Sequence, residues 1–272
     1  MTFTLRAIGD GMLSNAITYA TVGVPDGTQE HDFILVWLTR ANATDASTVP
    51  EDWNLLCKSA IGDHANQTVW VYYKVATASE PTDYTWDWGA TSVKTQGRIF
   101  GFYGDYDPDD PIDTYSNTLY TTSNSTCRAA SIAVEAVDSP LLVLMSAYDG
   151  TGVIFSTPTN PAGWTEHYDS GNTAPDTWLA LSSQVWSGSG ATGNVDATLT
   201  RASGTPEVTT TTKHGILMAL TPGLTDRNIT VSETVSLSEW TFPGWLPVPI
   251  REAVRTIWLC GADDRRILRN VR

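Results

Sequence analysis

Thr68-Val-Trp-Val-Tyr-Tyr-Lys-Val-Ala-Thr77 decides the fold class. The stretch is dense in β-branched and aromatic residues and has neither Gly nor Pro. That composition favours a strand, because branched and flat side chains pack well on a pleated surface. Side chains alternate across a sheet, so Val69, Val71, Tyr73 and Val75 share one face, and Trp70, Tyr72 and Lys74 the other. On this reading Lys74 lays its stem on the sheet and keeps its ammonium in water. A quieter echo follows at Thr177-Trp-Leu-Ala-Leu-Ser-Ser-Gln-Val-Trp186, with Trp178 standing 108 residues after Trp70.

Working outward, the segments on either side of these two stretches echo each other in the same order. Phe33-Ile-Leu-Val-Trp37 is answered by Leu141-Leu-Val-Leu-Met145, both apolar runs of the kind a buried strand needs. Val49-Pro-Glu-Asp-Trp53 is answered by Asn160-Pro-Ala-Gly-Trp164, and Asp83-Tyr-Thr-Trp-Asp87 by Asp196-Ala-Thr-Leu-Thr200. Gly97-Arg-Ile-Phe-Gly-Phe-Tyr-Gly104 is answered by Gly215-Ile-Leu-Met-Ala-Leu-Thr-Pro-Gly223. The order predicts an internal repeat, about 15–104 and 129–223, of some five strands per copy. A five-stranded sheet with one apolar face cannot stand alone, so the halves are expected to close one core. The expectation is an all-β, antiparallel, jelly-roll-like sandwich over 1–223; two separate small sandwiches are the alternative. The polar joint at 105–128 reads as an exposed crossover.

The remaining segment, 224–272, has a different character. Asn228 to Glu239 alternates like a strand, Trp240-Thr-Phe-Pro-Gly-Trp-Leu-Pro-Val-Pro249 is Pro-punctuated, and 251–272 fits either a helix or two short strands. Residues 251–272 carry six Arg against Glu252, Asp263 and Asp264, whereas the rest carries ten basic and twenty-seven acidic residues. A basic, apolar tail too short to bury itself suggests docking on another copy or on a neighbouring protein. Trp240, Trp245, Arg255, Trp258, Arg265 and Arg266 are the expected partner-binding residues.

A net charge of −14 argues against wrapping nucleic acid, where clustered cations must meet phosphate. No apolar run approaches the length of a membrane-spanning helix, and no secretory leader is visible. Cys57, Cys127 and Cys260 are widely spaced, without a CxxC pair, and are expected as free thiols. His31, His64, His167 and His214 show no HxH or HExxH spacing, and no GxSxG elbow occurs. Gly188-Ser-Gly-Ala-Thr-Gly193 matches GxGxxG but precedes a strand-like segment, so it reads as a turn. The acidic run Asp105 to Asp113 could gather oxygen ligands for Ca²⁺ through Asp105, Asp107 and Asp109, or be a solvated acidic turn. Otherwise no cofactor is implied. No strand shows the paired carboxylates of a glycosidase, so catalysis is not expected.

Three of these elements carry a resemblance. Val49-Pro-Glu-Asp-Trp53 and Asn160-Pro-Ala-Gly-Trp164 are similar to a "P-x-G-W" turn, with Asp52 where Gly is usual. Trp70 to Pro81 resembles the strand and turn that follow it, and Phe102-Tyr-Gly104 with Pro111-Ile-Asp113 resembles a "Y-x-G…PID" element. Together they resemble a jelly-roll module of tailed-bacteriophage virion proteins, over roughly 15–222. The tail's Arg255-Thr-Ile257 and Asp263-Asp-Arg-Arg-Ile267 are similar to short repeats of small phage structural proteins. The resemblance implies a non-enzymatic virion protein, made in the host cytoplasm and displayed as a head decoration, fibre or tail appendage. Its partners would be copies of itself and other virion proteins. A carbohydrate-binding or receptor-recognition module, reading host glycan through exposed Trp or Tyr, is the alternative.

Overall fold

A computed structural model describes residues 3–41, 45–60, 68–89, 92–120, 125–148, 155–170, 177–201 and 212–223. The chain divides into two units, Met1–Gly223 and Leu224–Arg272; the second lies outside the described residues. Among the described residues there are strands and no α-helix. The first half holds β1 (Phe3–Ile8), β2 (Met12–Ile17), β3 (Tyr19–Gly23), β4 (Phe33–Arg40), β5 (Asn54–Ala60), β6 (Thr68–Val75), β7 (Asp83–Asp87) and β8 (Val93–Gly104). The second holds β9 (Ile112–Tyr120), β10 (Thr126–Ala129), β11 (Ala133–Val134), β12 (Ser139–Tyr148) and β13 (Phe155–Thr159). It continues with β14 (Thr165–Asp169), β15 (Thr177–Trp186), β16 (Gly190–Ala191), β17 (Val195–Arg201) and β18 (Thr212–Leu220).

Each half builds one large antiparallel sheet. The first runs β1-β8-β4-β6-β5, with β2 also paired to β8; the second runs β9-β18-β12-β15-β14. The two orders are the same when β1, β4, β5, β6 and β8 are set against β9, β12, β14, β15 and β18. Register supports the match in detail. One extra residue bulges β1 between Leu5 and Ala7, and β9 between Ile112 and Thr114. Another bulges β5 between Leu55 and Cys57, and β14 between Glu166 and Tyr168.

Alternation decides what each large sheet buries. On β4, Phe33, Leu35 and Trp37 point one way and Ile34, Val36 and Leu38 the other, and every residue of the strand is buried. The first set joins Val69, Val71, Phe100 and Phe102 in a core completed from the second half by Leu142, Leu144, Leu179, Leu181, Ile216 and Met218. The second set packs beneath a two-stranded sheet, β3-β7, through Ala20, Val22, Trp86 and Trp88. The outer face of the second large sheet is covered likewise by β10-β17-β13, through Cys127, Ala129, Ala197 and Leu199. Among the described residues the sandwich has four stacked β layers and three apolar cores. The apolar runs of β4 and β12 are continuous because both of their faces are covered.

Several details differ from the sequence reading. The joint at 105–128 contains β9, an edge strand hydrogen-bonded along β18. Its polar residues suit a strand with one face half-buried. The correspondence also begins at β1 and β9, upstream of residues 15 and 129. Trp178 lies on the same outer face as Trp70, but two residues along. The bulges align Trp70, opposite Lys58, with Ala180, opposite Asp169. Each of the two tryptophans nonetheless donates its indole N–H to an aspartate, Trp70 to Asp45 at 3.1 Å and Trp178 to Asp169 at 2.7 Å. Lys74 is buried rather than wet: its ammonium donates to Tyr84 Oη at 2.9 Å and pairs with Glu80 at 3.2 Å. Those partners supply what water would have supplied.

Candidate functional site

The turn before β14 fixes one tryptophan at the surface of the second half. Gly163 has φ +85°, and the Trp164 N–H donates to the Pro161 carbonyl at 3.1 Å. Asn160 Nδ2 donates to the Trp164 carbonyl at 2.6 Å, while Asn160 Oδ1 accepts from Ser182 Oγ at 2.7 Å. Trp164 is thus presented by a turn tied to β15. It is only partly buried, and it lines a pocket of about 320 Å³ with Leu141, Pro161, Ala162, Gln184, Trp186, Thr192, Asn194, Val195 and Asp196.

The polar members of this pocket are held in place. Arg128 Nε and Nη2 donate to Asp196 Oδ1 and Oδ2, each at 2.6 Å, across the β10-β17 pair. Asn194 Oδ1 accepts from the Ser131 N–H at 3.0 Å, and Thr192 Oγ1 from the Ile132 N–H at 3.1 Å. The glycine-rich run Gly188 to Gly193, expected as a turn, contains the short strand β16; Gly190 and Gly193 have φ +93° and +77°, and a strand rather than a helix follows.

The corresponding place in the first half is filled. Trp53 meets the rings of Tyr84 and Trp86 edge-on, each at 5.3 Å between centroids, and is almost fully buried. The Tyr84 hydroxyl donates to Glu80 and accepts from Lys74. Burial, and then the Glu80 carboxylate, hold the Tyr84 phenol far above its usual range. Burial pushes the Glu80 carboxyl up, but hydrogen bonds from Tyr84, Thr77 and Lys74 outweigh it and leave the group below its usual range.

Among the described residues Cys57, Cys127 and His214 are buried and His167 is half-buried. Burial raises the Cys57 and Cys127 thiols to about 12, so neither is a ready nucleophile. His214 is fully buried, 2.8 Å from Ser59 Oγ, and burial lowers its imidazole to about 3. His167 sits 2.6 Å from Ser183 Oγ and is also lowered by burial.

The residues singled out from sequence fare differently. Of Asp105, Asp107 and Asp109, Asp107 Oδ1 accepts the Asp109 N–H at 2.9 Å in a local turn. Among the described residues no group of three or more His, Cys, Asp or Glu is placed to hold a metal ion. Trp240, Trp245, Arg255, Trp258, Arg265 and Arg266 lie outside the described residues, as does His64. The pocket was missed in the sequence. Its available signal was the pairing of Tyr84 and Trp86 in one half with Val195 and Ala197 in the other, which only the strand register reveals.

No protein-family model, no curated protein and no solved structure matches the chain.

Proposed function

We propose that the chain is a non-enzymatic structural protein of a tailed-bacteriophage particle. Its sandwich is displayed outward and its segment 224–272 attaches it to sister copies or other virion proteins. The observation that carries this reading is the repeated turn. Pro50 to Trp53 and Pro161 to Trp164, which resemble the virion module, enter equivalent strands of equivalent sheets. Both hold their penultimate residue at positive φ, +66° at Asp52 and +85° at Gly163. A jelly-roll-like course over 1–223 belongs to this proposal and is supported by chain excursions from a large sheet to a small one and back, at β2-β3-β4 and β6-β7-β8 and again at β15-β17-β18. The apolar and basic composition of 224–272 supports attachment through that segment.

Deleting 224–272 tests the proposal. The truncated chain should be soluble and folded and should be missing from purified particles, which carry the full-length chain on their outer surface by labelled-antibody microscopy. Normal incorporation of the truncated chain overturns the attachment role. Absence of the full-length chain from particles overturns the virion reading.

A second reading, recognition of a carbohydrate or receptor, is favoured by the pocket at Trp164. It is compatible with display on a particle, since sandwiches host binding sites of many kinds.

A further inference from the structure

The pocket at Trp164 is a place that the first half fills and the second leaves empty. In the small sheets, the pairs Ala20↔Trp86 and Val22↔Tyr84 correspond to Cys127↔Ala197 and Ala129↔Val195. The inward members agree: Ala20 and Val22 in one outer core, Cys127 and Ala129 in the other. Val195 therefore stands where Tyr84 stands, and Ala197 where Trp86 stands. By the pairing of β5 with β6 and of β14 with β15, Gln184 stands where Lys74 stands. The second half keeps the turn and its tryptophan but lacks the two rings and the lysine that close over Trp53. A volume of about 320 Å³ results.

We propose that this pocket binds a single sugar ring of an uncharged glycan, which stacks on the Trp164 indole. A sugar ring has an apolar C–H face and a rim of hydroxyls that both donate and accept. Trp164 and Trp186, each half-buried, line the pocket beside Gln184, Asn194 and Asp196, and its exposed lining is more polar than apolar. Asp196 is already fixed by its two bonds to Arg128, so little ordering is lost when it accepts a hydroxyl. The volume lies at the small end of ligand pockets, room for one ring rather than a chain. A purely apolar occupant would strip water from Gln184 and Asn194 without replacing their hydrogen bonds. An anionic occupant would meet the Asp196 carboxylate and a chain of net charge −14. Both are disfavoured relative to a neutral saccharide.

This inference rests on the recognition reading, and its test separates the two. The full chain is screened on an array of neutral glycans, and hits are measured by saturation-transfer NMR and tryptophan fluorescence with the corresponding methyl glycosides. Val195→Tyr returns the first half's ring to the second and should reduce affinity at least tenfold, with an unchanged circular dichroism spectrum. Gln184→Ala, which touches no core, should reduce it about fivefold. If the wild-type chain binds a glycan that both variants bind equally well, this pocket is not the site, though recognition survives. If the array shows no neutral glycan bound at millimolar concentration, the recognition reading and this inference fall together.

Discussion

His214 is the residue whose chemistry most constrains the folded state. It sits on β18, wholly buried, with Ser59 of β5 as its Nδ1 partner. Folding thus places an imidazole of one half against a hydroxyl of the other. Its folded value of about 3 lies below the ordinary value of 6.5 because burial disfavours the charged ring. Between those values the unfolded chain binds a proton that the folded chain does not, so stability falls as pH falls through that window. The limiting slope is about 1.4 kcal/mol per pH unit. Urea unfolding of the wild type and His214→Gln from pH 7.5 to 4 should show the wild type losing stability faster. Its advantage over the variant then narrows toward acid. Parallel curves would mean that the ring is not buried neutral.

At the scale of elements, β8 and β18 show how much was legible beforehand. The echo between Gly97 and Gly215 could be read from the letters, and the structure explains both glycines. A methyl group on Gly215 would overlap the carbonyl of Arg128, where β10 crosses close above β18. At Gly97 it would meet the Leu38 Cδ2 methyl at 2.6 Å and Val22 Cγ2 at 3.0 Å, side-chain ends that can turn aside. Gly215→Ala should therefore cost roughly 3 kcal/mol and Gly97→Ala about 1 kcal/mol, since backbone cannot yield as a leucine can. Thermal melts of the two variants check the order; equal losses would contradict it. The strand β6 was legible from its β-branched and aromatic composition, and β4 and β12 from continuous apolar runs of the kind a buried strand needs. The alignment of Trp178 with Trp70 was not, because bulges and loop lengths move the register by amounts that no single strand records. The strand β9 was hidden by its polar, edge-type composition. The pocket was hidden because it exists only as a difference between paired positions far apart in the chain.

For the whole molecule, the central core matters most. Phe33, Leu35 and Trp37 from one half meet Leu142, Leu144 and Ile216 from the other in one apolar cluster. Neither large sheet has a dry inner face without its counterpart, so the halves are expected to unfold together. Leu144→Ala should lower the midpoint for both halves by the 2–5 kcal/mol typical of such cavities, about the same by far-UV and by tryptophan signals. Most of the described tryptophans report on the first half: Trp37, Trp53, Trp70, Trp86 and Trp88 are all buried there. A variant in the second half that left the tryptophan transition in place would show two independent domains.

The bulges that align the halves also bear on how copies behave when crowded. The extra residues of β1, β5, β9 and β14 fall on the outermost strands, and β2 has a register break of its own between Ser14 and Ile17. A bulged rim turns its backbone donors and acceptors out of the straight ladder that another rim would need to zip onto it. Packed shoulder to shoulder, such molecules resist fusing into fibrils through their margins. Contact between neighbouring copies is then left to side chains rather than to paired margins, which keeps crowded sandwiches separate bodies.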